Sequence, residues 1–432
     1  MFEQIQKALA ERVTGDAALA AWRQTSLASA LAQGLPGPRD EAWRYAPVRG
    51  LERLSWVPAA QSLPTGDSSS LLELLPPALP GFARLVVVDG KVDAALSSTA
   101  PAPASDPVVD GLQGLDAAAA ANVDAAAALA NNSFAILGRL LTDNPLQLAL
   151  DSTTGSRVHL VFITTTTGRD GPSPTTLRMT VAAGCRAEIV EEHLASKGAA
   201  VFANHVVDTA VHSGAELHWT RLLVSAADAR HLETVRLQQA ENSTASLLQV
   251  APGNSALRST VVATLDGAAA QLQLSSVALG DGNQQLDQHV LIDHRGVGVK
   301  STEVYRGLAA RRARVAFTGH NRVMPTALNT DTRQSLRSLI AGREAEAIAR
   351  PQLEILTNAV QASHGATVGT LDPQMLFYLL SRGLEPGAAQ SLLKWAFLQD
   401  VVAQLRPAEL RTRLEALLLA RLADPLLTDL AP

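Results

Sequence analysis

Residues 362–372 read ASHGATVGTLD and contain one side chain suited to chemistry, His364. A neutral imidazole binds transition metals through either ring nitrogen and titrates near physiological pH. Its neighbours Ser363, Gly365, Ala366 and Thr367 are too small to enclose it, so His364 is either presented outward or is a loop residue filling space. The chain has ten histidines, all between positions 159 and 364. His212 and His218 share one strand–turn–strand unit and His289 and His294 another, but neither pair has the spacing of a metal clamp, and a structural role is expected for each. Cys185, the single cysteine, follows Gly184 at an expected turn with Arg186 as its basic neighbour, and reads as structural. Glu188, Glu191 and Glu192 cluster in one unit only, and Arg311, Arg312 and Arg314 read as a solvated turn face. Phosphate loops, dinucleotide fingerprints, H-E-x-x-H and C-x-x-C pairs are all absent.

Positioning such residues is the task of three textures. Residues 1–150 are expected to be helical or irregular: FEQIQKALAERV and DAALAAWRQTSLASALAQG repeat apolar residues at helical spacing, and the Ala-rich run 116–141 is a further helix candidate. RLVVVDGKVDAAL reads as a short hairpin turning at Asp89-Gly90, and 97–106 as a surface loop. From about 155 the period falls to two, with Val158, Leu160 and Phe162, then Leu177, Met179 and Val181, then Val207, Thr209 and Val211 facing one side. VAAGCRAEIVEE, VHSGAELHWTRL and TLDGAAAQLQLSS share a strand–turn–strand pattern. Their glycines, Gly184, Gly214 and Gly267, lie 30 and 53 positions apart, and Asn242 supplies the intervening turn. A strand-and-turn repeat of about 25–30 residues without helix-sized gaps predicts a right-handed parallel β-helix over 151–370, with an antiparallel sandwich as the competitor. The third texture, 371–432, is helical. Asp372 is an N-cap followed by Pro373, Gly383 closes that helix, and Pro386 and Pro407 start two more. These helices are expected to cap the open end of the solenoid, with apolar surface to spare for a partner, and the N- and C-terminal segments to meet near one side.

At 432 residues, 47% apolar and with formal charge −5, the chain can bury sizeable cores and offers no broad basic surface for nucleic acid or anionic lipid. No apolar run is long enough to span a bilayer. A single cysteine suits a reducing compartment and the N-terminus lacks a signal-peptide core, so a cytoplasmic protein is expected.

RPQLEILTNAVQASHGATVGTLDPQMLFYLLSRGLEPGAAQSLLKWAF resembles the C-terminal signature of the SufB/SufD family of iron–sulfur cluster assembly proteins, and EAWRYAPVRGL and ARVAFTGHNRV are similar to its N-terminal and central segments. Length and the single cysteine match the SufD branch better than the SufB branch. The resemblance implies a parallel β-helix flanked by helical regions and a non-catalytic role. It further implies pairing with a SufB-like paralog, with a homodimer in isolation, and docking of the ABC-type ATPase SufC on the C-terminal helices. The complex would build nascent clusters from iron and from sulfur delivered by a cysteine desulfurase, with no stably bound cofactor and with transient iron or cluster at the SufB interface. Carried onto this chain, the cluster candidate is His364, and the docking residues are Tyr378, Arg382, Gly383, Ala389 and Phe397. One departure is important: Ala362 stands where the family signature often has Cys, so no thiolate is available there. Two other readings are a polysaccharide-active β-helix, which would need a ladder of stacked acids that is missing here, and a purely structural solenoid.

Overall fold

The computed structural model describes Ile5 and residues 17–37, 39–46, 48, 51, 56, 68–98, 132–142, 145–165, 172–195, 202–224, 229–253 and 256–422. The helix expected over 2–13, apart from Ile5, and most of the loop 97–106 and of the Ala-rich run lie outside these residues. Helix α1 spans Ala17–Gln33 and α2 Ser68–Leu74; β1 (Ala83–Val88) and β2 (Lys91–Val92) form the expected hairpin; α3 is Ser133–Leu141. The strands that follow are β3 (Leu146–Leu150), β4 (Ser156–Thr164), β5 (Ser173–Val181), β6 (Arg186–Ala195), β7 (Phe202–Val211) and β8 (Glu216–Leu223). Next come β9 (Arg230–Gln239), β10 (Thr244–Ala251), β11 (Ala256–Leu265), β12 (Gln271–Gly280) and β13 (Gln285–His294). The last are β14 (Lys300–Ala310), β15 (Arg314–Val323), β16 (Thr330–Ala341), β17 (Glu346–Ile355) and β18 (Val360–Gly369). Helices α4 (Pro373–Ser381), α5 (Pro386–Val402) and α6 (Ala408–Leu422) follow them.

Consecutive strands alternate between two sheets. Even-numbered strands from β4 to β18 join β1 and β2 in a ten-stranded sheet, and odd-numbered strands from β3 to β17 form an eight-stranded one. Apart from the β1–β2 hairpin, the strands within each sheet pair in parallel, so the solenoid forms and the sandwich does not. Arg186, Glu216, Thr244, Gln271, Lys300, Asp331 and Gln361 stack in one column, 30, 28, 27, 29, 31 and 30 positions apart. The hairpin at Asp89-Gly90 does more than expected: β1 pairs in parallel with β4 and so begins the larger sheet.

Turns hold the column spacing. Gly184, Gly214, Asn242, Ala269 and Gly298 all have positive φ. Each donates its N–H to a carbonyl in the next turn, as in Gly214 to Glu241 and Asn242 to Ala268, both at 2.8–2.9 Å. The left-handed position of the fourth turn is thus Ala269, not Gly267. Gly267 is small for a different reason, since a side chain there would overlap the backbone of Ala240 and Glu241 in the neighbouring turn.

Every residue assigned to the inward period-two set lies in the principal core between the sheets or is fully buried beside it, including Val158, Leu160, Phe162, Leu177, Met179, Val181 and Thr209. The flanking regions cover the two outer faces. On the eight-stranded sheet, Trp43, Trp56, Phe134 and Leu137 pack on Phe202, Val206 and Leu232, with Trp56 stacked on Phe134 at 5.5 Å and edge-on to Phe202 at 5.1 Å. On the ten-stranded sheet, Leu398, Val401, Leu414 and Leu418 of α5 and α6 pack on Leu222, Val250, Val277 and Leu308. The N-terminal region divides. Its α1, α3 and tryptophans lie on the eight-stranded sheet, while Leu71, Leu74 and Leu75 pack outside β1 and β4 and Leu79 and Phe82 join the C-terminal cluster on the ten-stranded sheet, so the terminal segments meet on that side. The C-terminal helices therefore lie along the side of the solenoid and do not cap its end. The cause is the apolar surface on offer: the outward residues of β6 to β16 form an aliphatic stripe, whereas β18 offers mainly Ala, Ser, Gly and Thr. None of the described helices is long and apolar enough to cross a membrane.

Candidate functional site

The last rung is uncovered. β17 and β18 are the terminal strands of their sheets, and residues 361–368 of β18 are exposed. Register explains how His364 is presented. Thr332, Gln334 and Leu336 are buried on β16, with Leu336 in the principal core, and they stand beside Ala362, His364 and Ala366. In-register parallel strands keep like positions on like faces. His364 therefore belongs to the inward set of the solenoid, and is open because no further rung follows. The column behind it runs through Gln334 to Glu303, and Gln334 Nε2 donates to Glu303 Oε2 at 2.6 Å. Burial pushes Glu303 up to about 8, against a weaker opposing effect of that hydrogen bond. Gly319 faces this pair, and a side chain there would overlap both Glu303 and Gln334.

Helix α4 follows directly. Its N-cap is Asp372, whose side chain accepts from Gln374 N, and Gly383 closes it at φ +88°, both as the sequence predicts. It buries no residue. Met375, Phe377 and Tyr378 are 58%, 72% and 56% exposed, and the Arg382 guanidinium lies over the Tyr378 ring at 5.3 Å. Such a row of large exposed apolar groups is unusual on a free surface. The five docking residues thus divide. Tyr378, Arg382 and Gly383 are exposed, but Ala389 is fully buried and Phe397 is partly buried against the cluster beneath α5 and α6, so these two are not offered on the free surface.

A second polar cluster lies inside the solenoid and escaped the sequence analysis. Arg221 on β8 is fully buried between two carboxylates: its Nη2 donates to Glu191 Oε1 at 2.7 Å, and its Nη1 to Glu233 Oε1 at 2.9 Å. It also donates to Gln249 at 3.2 Å and lies over the Trp219 ring. Burial acts to raise Glu191, but the charge of Arg221 and the His193 hydrogen bond outweigh it and hold the carboxyl at about 2. Glu233 is likewise held well below the usual carboxylate range, burial being overcome by Arg221 and His231. Around these groups stand His193 on β6, His205 on β7 and His231 on β9. The signal for them was parity. Arg221 alternates with Leu217, Trp219 and Leu223, and Glu233 with Val235 and Leu237, all on the inward side. His159 and Glu192 form a separate pair at 2.8 Å, with Glu192 also bonded to Arg413 of α6. Cys185 is buried and structural in its setting, its Sγ donating to Asp151 O at 3.2 Å. The arginine turn is solvated as expected, with Arg311 paired to Asp281 and Arg314 to Glu346.

The family model for the SufBD core domain of the SUF system of FeS cluster assembly matches residues 163–397, more than half of the chain. The chain belongs to the SufBD family. It is 27% identical to the iron–sulfur cluster assembly protein SufD of Escherichia coli over 398 residues, covering 91% of this chain and 90% of that one. A SufBD family protein of Synechocystis is 25% identical over 393 residues, 88% and 86% of the two chains. One from Mycobacterium tuberculosis is 27% identical over 238 residues, 53% and 59%. The matched SufBD core takes in most of the solenoid, all of α4 and most of α5, so both the open rung and the exposed helix fall inside it.

Proposed function

We propose that this chain is the SufD-like, non-catalytic member of a SUF scaffold, pairing through its last rung with a SufB-like paralog and docking a SufC-like ABC ATPase on α4. The observation that carries the reading is the open end itself. Two ten-residue parallel strands, β17 and β18, offer unpaired backbone N–H and C=O groups, a condition that proteins ordinarily avoid or use for pairing with another chain. In isolation the same edges would pair two copies of this chain. His364 stands at that edge, where a neutral imidazole can contribute one ligand to iron or a nascent cluster held mainly by thiolates or carboxylates of the paralog. Since Ala362 has no ligand atom, the share of this subunit is His364 alone, and the cluster is cargo rather than a resident cofactor.

Co-expression with SufB-like and SufC-like partners tests the pairing directly. His364→Ala is expected to leave folding within about 0.5 kcal/mol of the parent, since the side chain is exposed, while the assembled complex accumulates less cluster absorbance. Accumulation at the parental rate would remove His364 from the site.

The docking part has its own discriminator. Tyr378→Ala and Phe377→Asp, both on the exposed side of α4, should abolish capture of the ATPase with an unchanged melting temperature. Ala389→Asp should instead lower the melting temperature sharply, because it places a carboxylate where Ala389 has no exposed surface. Undiminished ATPase capture by the α4 variants would move docking elsewhere.

A further inference from the structure

We propose that the interior of the solenoid holds a divalent transition-metal ion on His193, His205 and His231. One ligand nitrogen of each ring lies within 4.8 Å of the others, and all three residues are buried. The ring centroids are 4.6, 4.9 and 5.1 Å apart, with Phe162 stacked on His193 at 4.9 Å.

The hydrogen bonds decide which atoms face the centre. His193 Nε2 lies 2.5 Å from Glu191 Oε1, and His231 Nε2 lies 3.0 Å from Glu233 Oε2. Both carboxylates also accept from the Arg221 guanidinium, and each, standing behind an imidazole Nε2, turns the Nδ1 of that ring to the opposite side. Those two Nδ1 atoms, and His205 Nε2, are buried without a hydrogen-bond partner among the described residues. A carboxylate behind a histidine, fixing its tautomer and aiming the opposite nitrogen, is the outer arrangement that metal-binding histidines use.

A water molecule could fill such a space, but it has two protons for three acceptors. Charge also favours a cation: two carboxylates and one guanidinium leave a surplus of one negative charge beside the three rings. Three imidazoles suit zinc or ferrous iron rather than magnesium or calcium. The site is separate from the open rung, and its ligands come from rungs far from His364.

The test uses full-length chain purified from zinc-supplemented culture, with metal counted by elemental mass spectrometry and ligands read by X-ray absorption. Expected are one zinc per chain, three imidazole nitrogens at about 2.0–2.1 Å, and a melting temperature that falls when a strong chelator strips the ion. His205→Gln should lose the ion, by more than the roughly 10–100-fold that removal of an outer hydrogen-bond partner costs, while His364→Ala retains it. Metal-free parent protein, unchanged occupancy in His205→Gln, loss in His364→Ala, or an absorption spectrum without three imidazole scatterers would each overturn the assignment. The spectrum of the parent decides the matter even if His205→Gln does not fold.

Discussion

Arg221→Met is expected to leave most of the chain unfolded at neutral pH. The guanidinium has no exposed surface and makes four hydrogen bonds to Glu191 and Glu233 at 2.7–3.2 Å. A methionine fills much of the volume but leaves two carboxylates in the solenoid without their counter-charge. Removing one partner of a buried ion pair costs about 3–5 kcal/mol, and here one substitution strands two acids, against a total stability of about 5–15 kcal/mol. The pH dependence separates charge from packing. In the parent, both carboxylates are held below their unfolded value of 4.5. Their contribution is therefore present above pH 4.5 and is lost as pH falls toward about 2 for Glu191. In the variant the Arg221 charge is gone and burial, the largest effect on each carboxyl, is opposed only by the His193 and His231 contacts. Both carboxyls therefore shift upward, and the variant's deficit relative to the parent should narrow as pH falls from 7 toward 5. Urea unfolding at pH 7 and pH 5 reads both effects. A variant within about 0.5 kcal/mol of the parent at pH 7 would mean that the acids do not depend on Arg221.

The solenoid was legible because its interior obeys a period of two and its turns recur at one interval; each inward column can be followed from rung to rung by counting about 28 residues. The polar interior was harder to read. His193, His205 and His231 have no motif spacing in sequence, and come together because β6 faces β7 and β9 across the solenoid. Alternation ordinarily assigns charged residues to the outer face, yet Glu191, Arg221 and Glu233 share the parity of their buried apolar neighbours. A charged residue on the inward parity was the available sign. Where the C-terminal helices settle was not legible at all, since an apolar helix face matches a sheet side as well as a solenoid end, and only the outward aliphatic stripe from Val190 to Leu339 decides between them. His364 was found by its small neighbours and by resemblance, and the register adds why it is open: it is an interior position without a following rung.

Glu303→Gln should remove a pH dependence that the parent shows between pH 4.5 and about 8. Glu303 on β14 has no exposed surface, receives one hydrogen bond from Gln334, and its Oε1 has no partner among the described residues. No ion pair involving it occurs among those residues, so burial dominates and the group is a neutral acid at pH 7, with its pKa raised from 4.5 to about 8. Below pH 4.5 folded and unfolded chains both hold the proton. Between 4.5 and 8 the unfolded chain releases it while the folded chain keeps it, so the parent loses stability as pH rises, by about 1.4 kcal/mol per unit of pH at most. Above 8 the loss is complete, at several kcal/mol. Glutamine has the same shape, keeps an acceptor for Gln334 Nε2 and offers an N–H in place of the acid O–H, but has no proton to lose. The two proteins should therefore have similar stability near pH 5, and the variant should become the more stable by a margin that widens to pH 8. Denaturant midpoints at pH 5, 6.5 and 8 measure this margin. Parallel profiles would show that Glu303 does not titrate in this window, and a variant weaker at every pH would show that the carboxyl is needed for its shape or its hydrogen bonds rather than tolerated as a buried acid behind His364.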